Sequence, residues 1–278
     1  ITLAGSEIRQ NGALESSTTV SLNGRIDIQA SYDAIPNTAY NPSNSVSGSP
    51  FLPQKTGTVL FGAGSVARIL PELGSTETAI GQELALRSEV NVTGKVIHLG
   101  PNAAIQAPSG NVRISAGEWI LQGIGSTNPN ARFVQSLGQV YLDAGTLVDV
   151  AGSTGISVSI LQHILALELR GAELSNSPVQ REGVLRDQSI EVDVRNSGTY
   201  NDLDWVGTPL ADATGFAGLI QRSIGEFTAP GGTVTISAGE SVVMRNGSKI
   251  DASGGFLSYE GTKVKTTRLI LGNRLVDI

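Results

Sequence analysis

The chain has 278 residues, among them 34 glycines and 11 prolines, with 5% aromatic and 16% charged side chains. A net charge of −6 and a pI near 5.0 argue against binding nucleic-acid phosphates as the main task, which needs a basic surface. With no cysteine there is neither a disulfide framework nor a Cys-based metal centre, and no apolar run approaches a membrane span. Few aromatics beside many Gly, Ser, Thr and Asn residues predict a long, shallow core, and the lack of cysteine with such a surface fits a protein exported unfolded through a pore.

Residues 1–31 read as short strands, with Ile1 and Leu3, Val20 and Leu22, and Ile26 and Ile28 as the apolar positions. Asn11-Gly12 and Asn23-Gly24 supply turns. The opening ITLAGSEIRQ lacks the basic and apolar regions of a signal peptide and reads as the middle of a strand. The closing RLILGNRLVDI reads the same way, so the expectation is a segment of something longer, or a processed product.

Residues 32–56 carry Pro36, Pro42, Pro50 and Pro53, which exclude a central strand and predict a long corner loop. Tyr32, Tyr40 and Phe51 are its few adhesive groups; such a loop either binds a ligand or lies back over the scaffold. The strands resume over 57–70. Residues 71–88 predict a short helix capped by Ser75 or Thr76, or a further loop.

The densest repeats fall in 90–155. His98 occupies an apolar position there and reads as a satisfied or corner residue rather than a ligand. Trp119 reads as packing rather than as a sugar platform. Residues 156–228 break the pattern. ISVSILQHILALELRG carries His163 alone, and SIEVDVRNSG alternates Ile190, Val192 and Val194 inward with Glu191, Asp193 and Arg195 outward. Thr208-Pro209 reads as a helix cap and first turn, placing Leu210, Phe216, Leu219, Ile220 and Ile224 on one helical face. This stretch is expected to be an elaboration on a scaffold that spans 1–155 and resumes over 229–278.

The scaffold is defined by a repeat. Residues 232–239 read GTVTISAG, and copies stand at 110–117 (GNVRISAG), 138–145 (GQVYLDAG) and 57–64 (GTVLFGAG), with looser ones at 24–31 and 94–101. A second strand recurs as Ile105-Gln106-Ala107, Val148-Asp149-Val150 and Ile250-Asp251-Ala252. One copy cannot bury its apolar edge alone, so copies must stack. Their irregular spacing suits a β-solenoid in which surplus residues leave as corner loops; a β-sandwich is the alternative. The terminal glycine fits a corner with positive φ or a close backbone approach. On the order of ten turns at about 4.8 Å each would give a length of roughly 50 Å.

GGTVTISAG…SVVMRNGSKIDASGG, together with LRGAELSNSPVQREGVLRDQSIEVDVRNSG and WVGTPLADATGFAGLIQRSIGEFTAPGG, resembles the filamentous haemagglutinin family of large bacterial exoproteins. The resemblance covers residues 165–255 well and the rest through the style of repeat. It implies a right-handed parallel β-helix, an outer-membrane secretion partner, an extracellular or cell-surface location, and a role in adhesion or as a fibre. Asn128-Pro129-Asn130 is followed by Ala131, departing from the Asn-Pro-Asn-Gly of the family's secretion domain, which is therefore not assigned here.

Right-handed β-helices also host polysaccharide lyases and hydrolases, which need grouped acids. The candidates are Asp143 with Asp149, and Asn201, Asp202 and Asp204 beside Trp205; the glycine and distal glutamate of a Ca²⁺ loop are missing. Lys263, Lys265, Arg268 and Arg274 read as a solvated face. The expectation is a non-enzymatic chain with no catalytic residue, metal or cofactor, and with no binding residue assigned. It is read as a rigid stalk or filament segment that meets further β-helix at both ends. The second reading is a module binding host or neighbouring-cell glycans through 32–56 or 156–228, and the third is a carbohydrate-active enzyme.

Overall fold

The computed structural model describes residues 1–30, 33–36, 39–44, 51–54, 57–122 and 130–277. Alternating apolar residues form strands of two to six residues, and strand takes 49% of the chain against 7% helix, an all-β protein. Half of these strands lie in three five-stranded parallel sheets. The first sheet runs Thr2–Gly5, Arg25–Ala30, Glu89–Gly94, Asn111–Ala116, Thr233–Ala238. The second runs Glu7–Gln10, Thr58–Phe61, Val96–Leu99, Gln139–Leu142, Ser241–Met244, and the third Ala13–Thr18, Val66–Pro71, Ala104–Gln106, Leu147–Asp149, Lys249–Asp251. Strand order within every sheet is chain order. The chain thus visits the three sheets in the same sequence five times, where about ten turns were expected. Parallel neighbours need a crossover connection, and here the other two sheets provide it.

The pairing is in register, so like residues stack into ladders. Leu3, Ile28, Val92, Ile114 and Ile236 align across the first sheet. Ile8, Val59, Ile97, Val140 and Val242 align across the second, and Leu14, Ala67, Ile105, Val148 and Ile250 across the third. In the second, third and fourth circuits these side chains are fully buried in one cluster. Each buried Val, Ile or Leu contributes about 1.5–3 kcal/mol, so the ladders dominate the fold's stability. The modest volume of the side chains is what lets three sheets approach.

The corner between the second and third sheets explains the recurring glycine. In the last four circuits it spans four residues, and the third of these is left-handed: Gly64 (φ 70°), Asn102 (φ 56°), Gly145 (φ 76°) and Gly247 (φ 85°). Only glycine, or asparagine less readily, adopts that conformation at low cost. Gly117 and Gly239, which end the copies in the first sheet, serve the other purpose. A Cβ on Gly117 would lie 2.4 Å from the Val134 carbonyl oxygen, and one on Gly239 2.5 Å from the Leu137 nitrogen. The repeated octapeptide therefore occurs in two different sheets with two different reasons for its glycine, which is why its spacing is irregular.

Surplus residues leave at two corners. Between the first and second sheets stand an antiparallel pair of Asp33–Pro36 with Phe51–Gln54, and another of Glu118–Gln122 with Asn130–Val134. The Pro-rich 32–56 stretch thus carries a two-stranded element; Tyr32 and Pro50 fall outside the described residues, as do Asn128 and Pro129. Between the third and first sheets leave residues 76–84 and 155–223. Residues 71–88 form no helix: Thr78–Ile80 is a strand, antiparallel to Gln221–Ser223.

Two compact units result. The first comprises Ile1–Ser75, Ala85–Thr154 and Ile224–Phe256, and holds the three sheets. The second comprises Thr76–Leu84, Gly155–Ser223 and Leu257–Ile278. Its core is Leu167, Leu169, Leu174, Ile190, Val192 and Val194, from the pair Ile164–Glu168 with Ser189–Asp193 and the segments after each strand, with Ala211 and Ala213. The inward residues of SIEVDVRNSG are those expected, but Asp193, expected outward, is buried at 7% exposure and paired with Arg195. Thr208 is not a helix cap: it ends strand Leu203–Thr208, its hydroxyl accepts from the Leu210 N–H, and the expected helix is replaced by two separate turns, Thr214–Ala217 and Ile224–Phe227. Leu257–Glu260 and the hairpin Arg268–Leu271 with Arg274–Asp277 belong to this unit rather than to the three sheets.

Candidate functional site

The second unit holds a cleft of about 570 Å³. One wall is the hairpin Ser197–Tyr200 with Leu203–Thr208, closed by Asn201 and Asp202 at φ 49° and 61°. Two successive left-handed residues are the signature of a tight type I′ turn, which asparagine and aspartate tolerate. Register places Tyr200 opposite Leu203 and Gly198 opposite Trp205, so these four share one face. Val206 points the other way and packs on the unit's core. Gly198 is required here: a Cβ would lie 2.7 Å from the Trp205 ring. The indole therefore lies on the bare strand backbone, held by it, and lines the cleft.

The opposite wall is the short 3₁₀ helix Pro178–Arg181 with Asn176 and Ser177 before it, and the floor is Pro209 to Asp212. Arg181 does not face the cleft as a free cation; its guanidinium donates to the Leu174 and Ser175 carbonyls at 3.4 and 3.3 Å. Two carboxylates stand at the cleft. Asp204 accepts from the Thr199 hydroxyl at 2.8 Å, and Asp212 Oδ1 accepts from the Thr214 backbone N–H at 3.0 Å and from its hydroxyl. Each keeps its other oxygen available. Among the described residues, the side-chain amides of Asn176, Gln180 and Asn201 and the Tyr200 hydroxyl make no hydrogen bond within the protein.

A second cleft, about 610 Å³, lies in the first unit against the outer side chains Gln29, Thr93 and Ser115. Trp119 and Phe133 border it, their rings edge to face at 5.3 Å. The Trp119 ring nitrogen is buried with no partner. Trp119 packs as expected, on the ring of the opposing strand.

The acids singled out in the sequence separate. Asp143 binds His98, Nε2 to Oδ2 at 2.8 Å, beside the edge of Tyr141. His98 is thus a partnered outward residue between buried Ile97 and Leu99. Asp149 accepts from the Ala151 N–H at 3.0 Å, so Asp143 and Asp149 do not form a pair. Asp202 is exposed at the hairpin tip while Asp204 and Trp205 reach the cleft. His163 sits beside Tyr259, ring centroids 5.4 Å apart, its Nδ1 buried without a partner. Arg268 pairs with Asp277 at 2.7 Å, and Lys263, Lys265 and Arg274 are exposed. No group of three or more His, Asp or Glu that could hold a metal occurs among the described residues. No described helix is long and apolar enough to cross a membrane.

Tyr200, Asn176 and Gln180 were not singled out by sequence reasoning. Their signal is faint, because the cleft draws on three elements with no fixed spacing.

Comparison of the chain with protein-family models, with curated proteins and with solved structures finds no match in any of the three.

Proposed function

We propose that the first unit is a stretch of right-handed parallel β-helix and that the chain is a rigid structural segment of a bacterial surface fibre or adhesin. The supporting topology is the fivefold cyclic passage through three parallel sheets. A crossover between parallel strands is right-handed in nearly all proteins, which sets the hand of the reading. Function as a spacer needs stiffness, and continuous ladders of buried side chains joined by in-register hydrogen bonds supply it.

One observation carries the proposal. Val140, Leu142 and Val148 are 0% exposed, whereas their register partners in the last circuit, Val242, Met244 and Ile250, are 44%, 46% and 39% exposed. The sequence keeps core residues at positions where this chain has no further layer. The strands that carry them are also the outermost of their sheets, with unpaired backbone groups. Further β-helix stacked on this end would satisfy both, and is the partner proposed. At the opposite end the equivalent of Leu142 is Gln10, buried and donating to the Gly12 and Val66 carbonyls at 2.7 and 3.1 Å. That end is thus more polar, although Leu3 and Leu14 continue their ladders there.

An outer-membrane secretion partner and an extracellular location follow from the resemblance over residues 165–255. The reading is non-enzymatic, since Asp143 and Asp149, each with its own separate partner, do not form an acid pair. Antibodies against the chain are expected to label intact cells that make it, along surface filaments. Labelling only after lysis would refute the location and the fibre role together. The cleft in the second unit favours binding as an additional task.

A further inference from the structure

We infer that the cleft of the second unit is a binding site for a neutral oligosaccharide. The inference rests on the cleft alone and stands whether or not the chain belongs to a fibre. At about 570 Å³ the cleft lies inside the roughly 300–1,000 Å³ range of small-ligand sites. Its chemistry is mixed in the way a sugar is mixed. A pyranose ring offers an apolar face of C–H groups and a rim of hydroxyls that both donate and accept.

The apolar element is Trp205, immobilised on Gly198, with Tyr200 on the same hairpin face. An aromatic ring fixed in advance stacks on a ligand at small entropic cost. The polar element is a set of side chains open to solvent and to a ligand. Three amides, a phenol and the half-used Asp212 carboxylate line the cleft and have no protein partner for their remaining valences, with Asp204 at its margin on the other hairpin face beside Thr199. Amides and carboxylates are the groups that engage neighbouring sugar hydroxyls in pairs.

Charge narrows the class. Asp204 and Asp212 line the cleft, no lysine or arginine does, and the guanidinium of Arg181, next to Gln180 in the chain, is committed to carbonyls. Sulfated, sialylated or uronic-acid chains would meet uncompensated repulsion. A proline-rich peptide also docks on aromatic grooves, but has few groups to satisfy the amides and carboxylates found here.

The test uses the full chain and follows tryptophan fluorescence, with Trp119→Phe as the background so that Trp205 is the reporter. The probes are hexamers of β-1,4-glucose, α-1,4-glucose, β-1,4-N-acetylglucosamine and β-1,4-galactose, with heparin and a proline-rich decapeptide as comparators. At least one neutral hexamer is expected to perturb Trp205 saturably. Tyr200→Ala should weaken it about tenfold, and Gln180→Ala with Asn176→Ala by a similar factor. Tyr200 is 65% exposed, so its removal leaves folding intact. Binding of heparin or the peptide in place of every neutral hexamer would overturn the inference. So would binding that survives both sets of substitutions, or no response to any hexamer.

Discussion

Gly247 and Gly138 show how differently two glycines with positive φ are constrained. Gly247 (φ 85°) has room for a Cβ, which would make an ordinary van der Waals contact with the Gly145 nitrogen at 3.6 Å. Gly247→Ala is expected to cost only the left-handed backbone, about 1–2 kcal/mol. Gly247→Asn should cost less, since Asn102 already holds the same corner position one layer removed from Gly145. Gly138 (φ 128°) would place a Cβ 2.7 Å from the Gly117 nitrogen and 2.8 Å from the Lys95 carbonyl oxygen. Backbone on both sides leaves no room to yield, so Gly138→Ala should destabilise by about 3 kcal/mol or more. Urea denaturation of the three variants gives the order directly. In the sequence Gly138 opens a repeat copy and Gly247 follows Asn246 in a turn, but their separate causes do not show, because φ and close approach leave the same letter.

Charged residues add a pH dependence. The Arg25 guanidinium, at 2.7 Å from Asp27 and from Glu89, holds the Asp27 carboxyl below the ordinary carboxylate range, aided by Asn91. In the second unit Arg195 does the same for Asp193 through its side chain and its backbone N–H. A carboxyl whose pKa falls on folding stabilises the fold fully above its unfolded value, near 4, and loses that contribution as pH drops below it. The melting temperature should be flat from neutrality to about pH 5 and fall below about pH 4. Arg25→Gln and Arg195→Gln should lower the neutral plateau and flatten the acid fall; an unchanged acid limb in both would contradict these pairings.

At the scale of strands, the ladder decides what a substitution costs. Ile114 is fully buried between Val92 and Ile236, and Ile114→Ala is expected to cost about 2–5 kcal/mol through lost burial and a cavity. Val242→Ala, chemically similar but in the exposed last circuit, should cost well under 1 kcal/mol. Period-2 alternation made the strands of both visible in the sequence, as it did Ile190, Val192 and Val194. What alternation could not show is which sheet a copy enters. GNVRISAG and GQVYLDAG look alike yet lie in the first and second sheets, because both corners need a glycine. Helix expectations failed where the chain was shortest of pattern. Ser75 and Thr76 resembled caps, and Thr208-Pro209 resembled a helix start, but pairing of Thr78–Ile80 with Gln221–Ser223 and the turn after Thr208 met the backbone's hydrogen bonds locally. The cleft was half legible: Asp204 and Trp205 stand out as neighbours, whereas Tyr200 joins them only through cross-strand register.

For the whole molecule, the exposed core residues of the last circuit matter most. A cluster of Val242, Met244 and Ile250 beside unpaired strand edges is a surface that associates. In sedimentation velocity the chain should show concentration-dependent association, suppressed by Val242→Lys with Met244→Lys. Association unaffected by this pair would place the contact elsewhere.

The most direct test is cryo-electron microscopy of the native particle, following density outward from Thr233–Ala238, Ser241–Met244 and Lys249–Asp251. The account predicts a further parallel layer about 4.8 Å beyond these strands, its side chains extending the Val242, Met244 and Ile250 ladders. Solvent there, or a polar capping element crossing the three sheets, would contradict it.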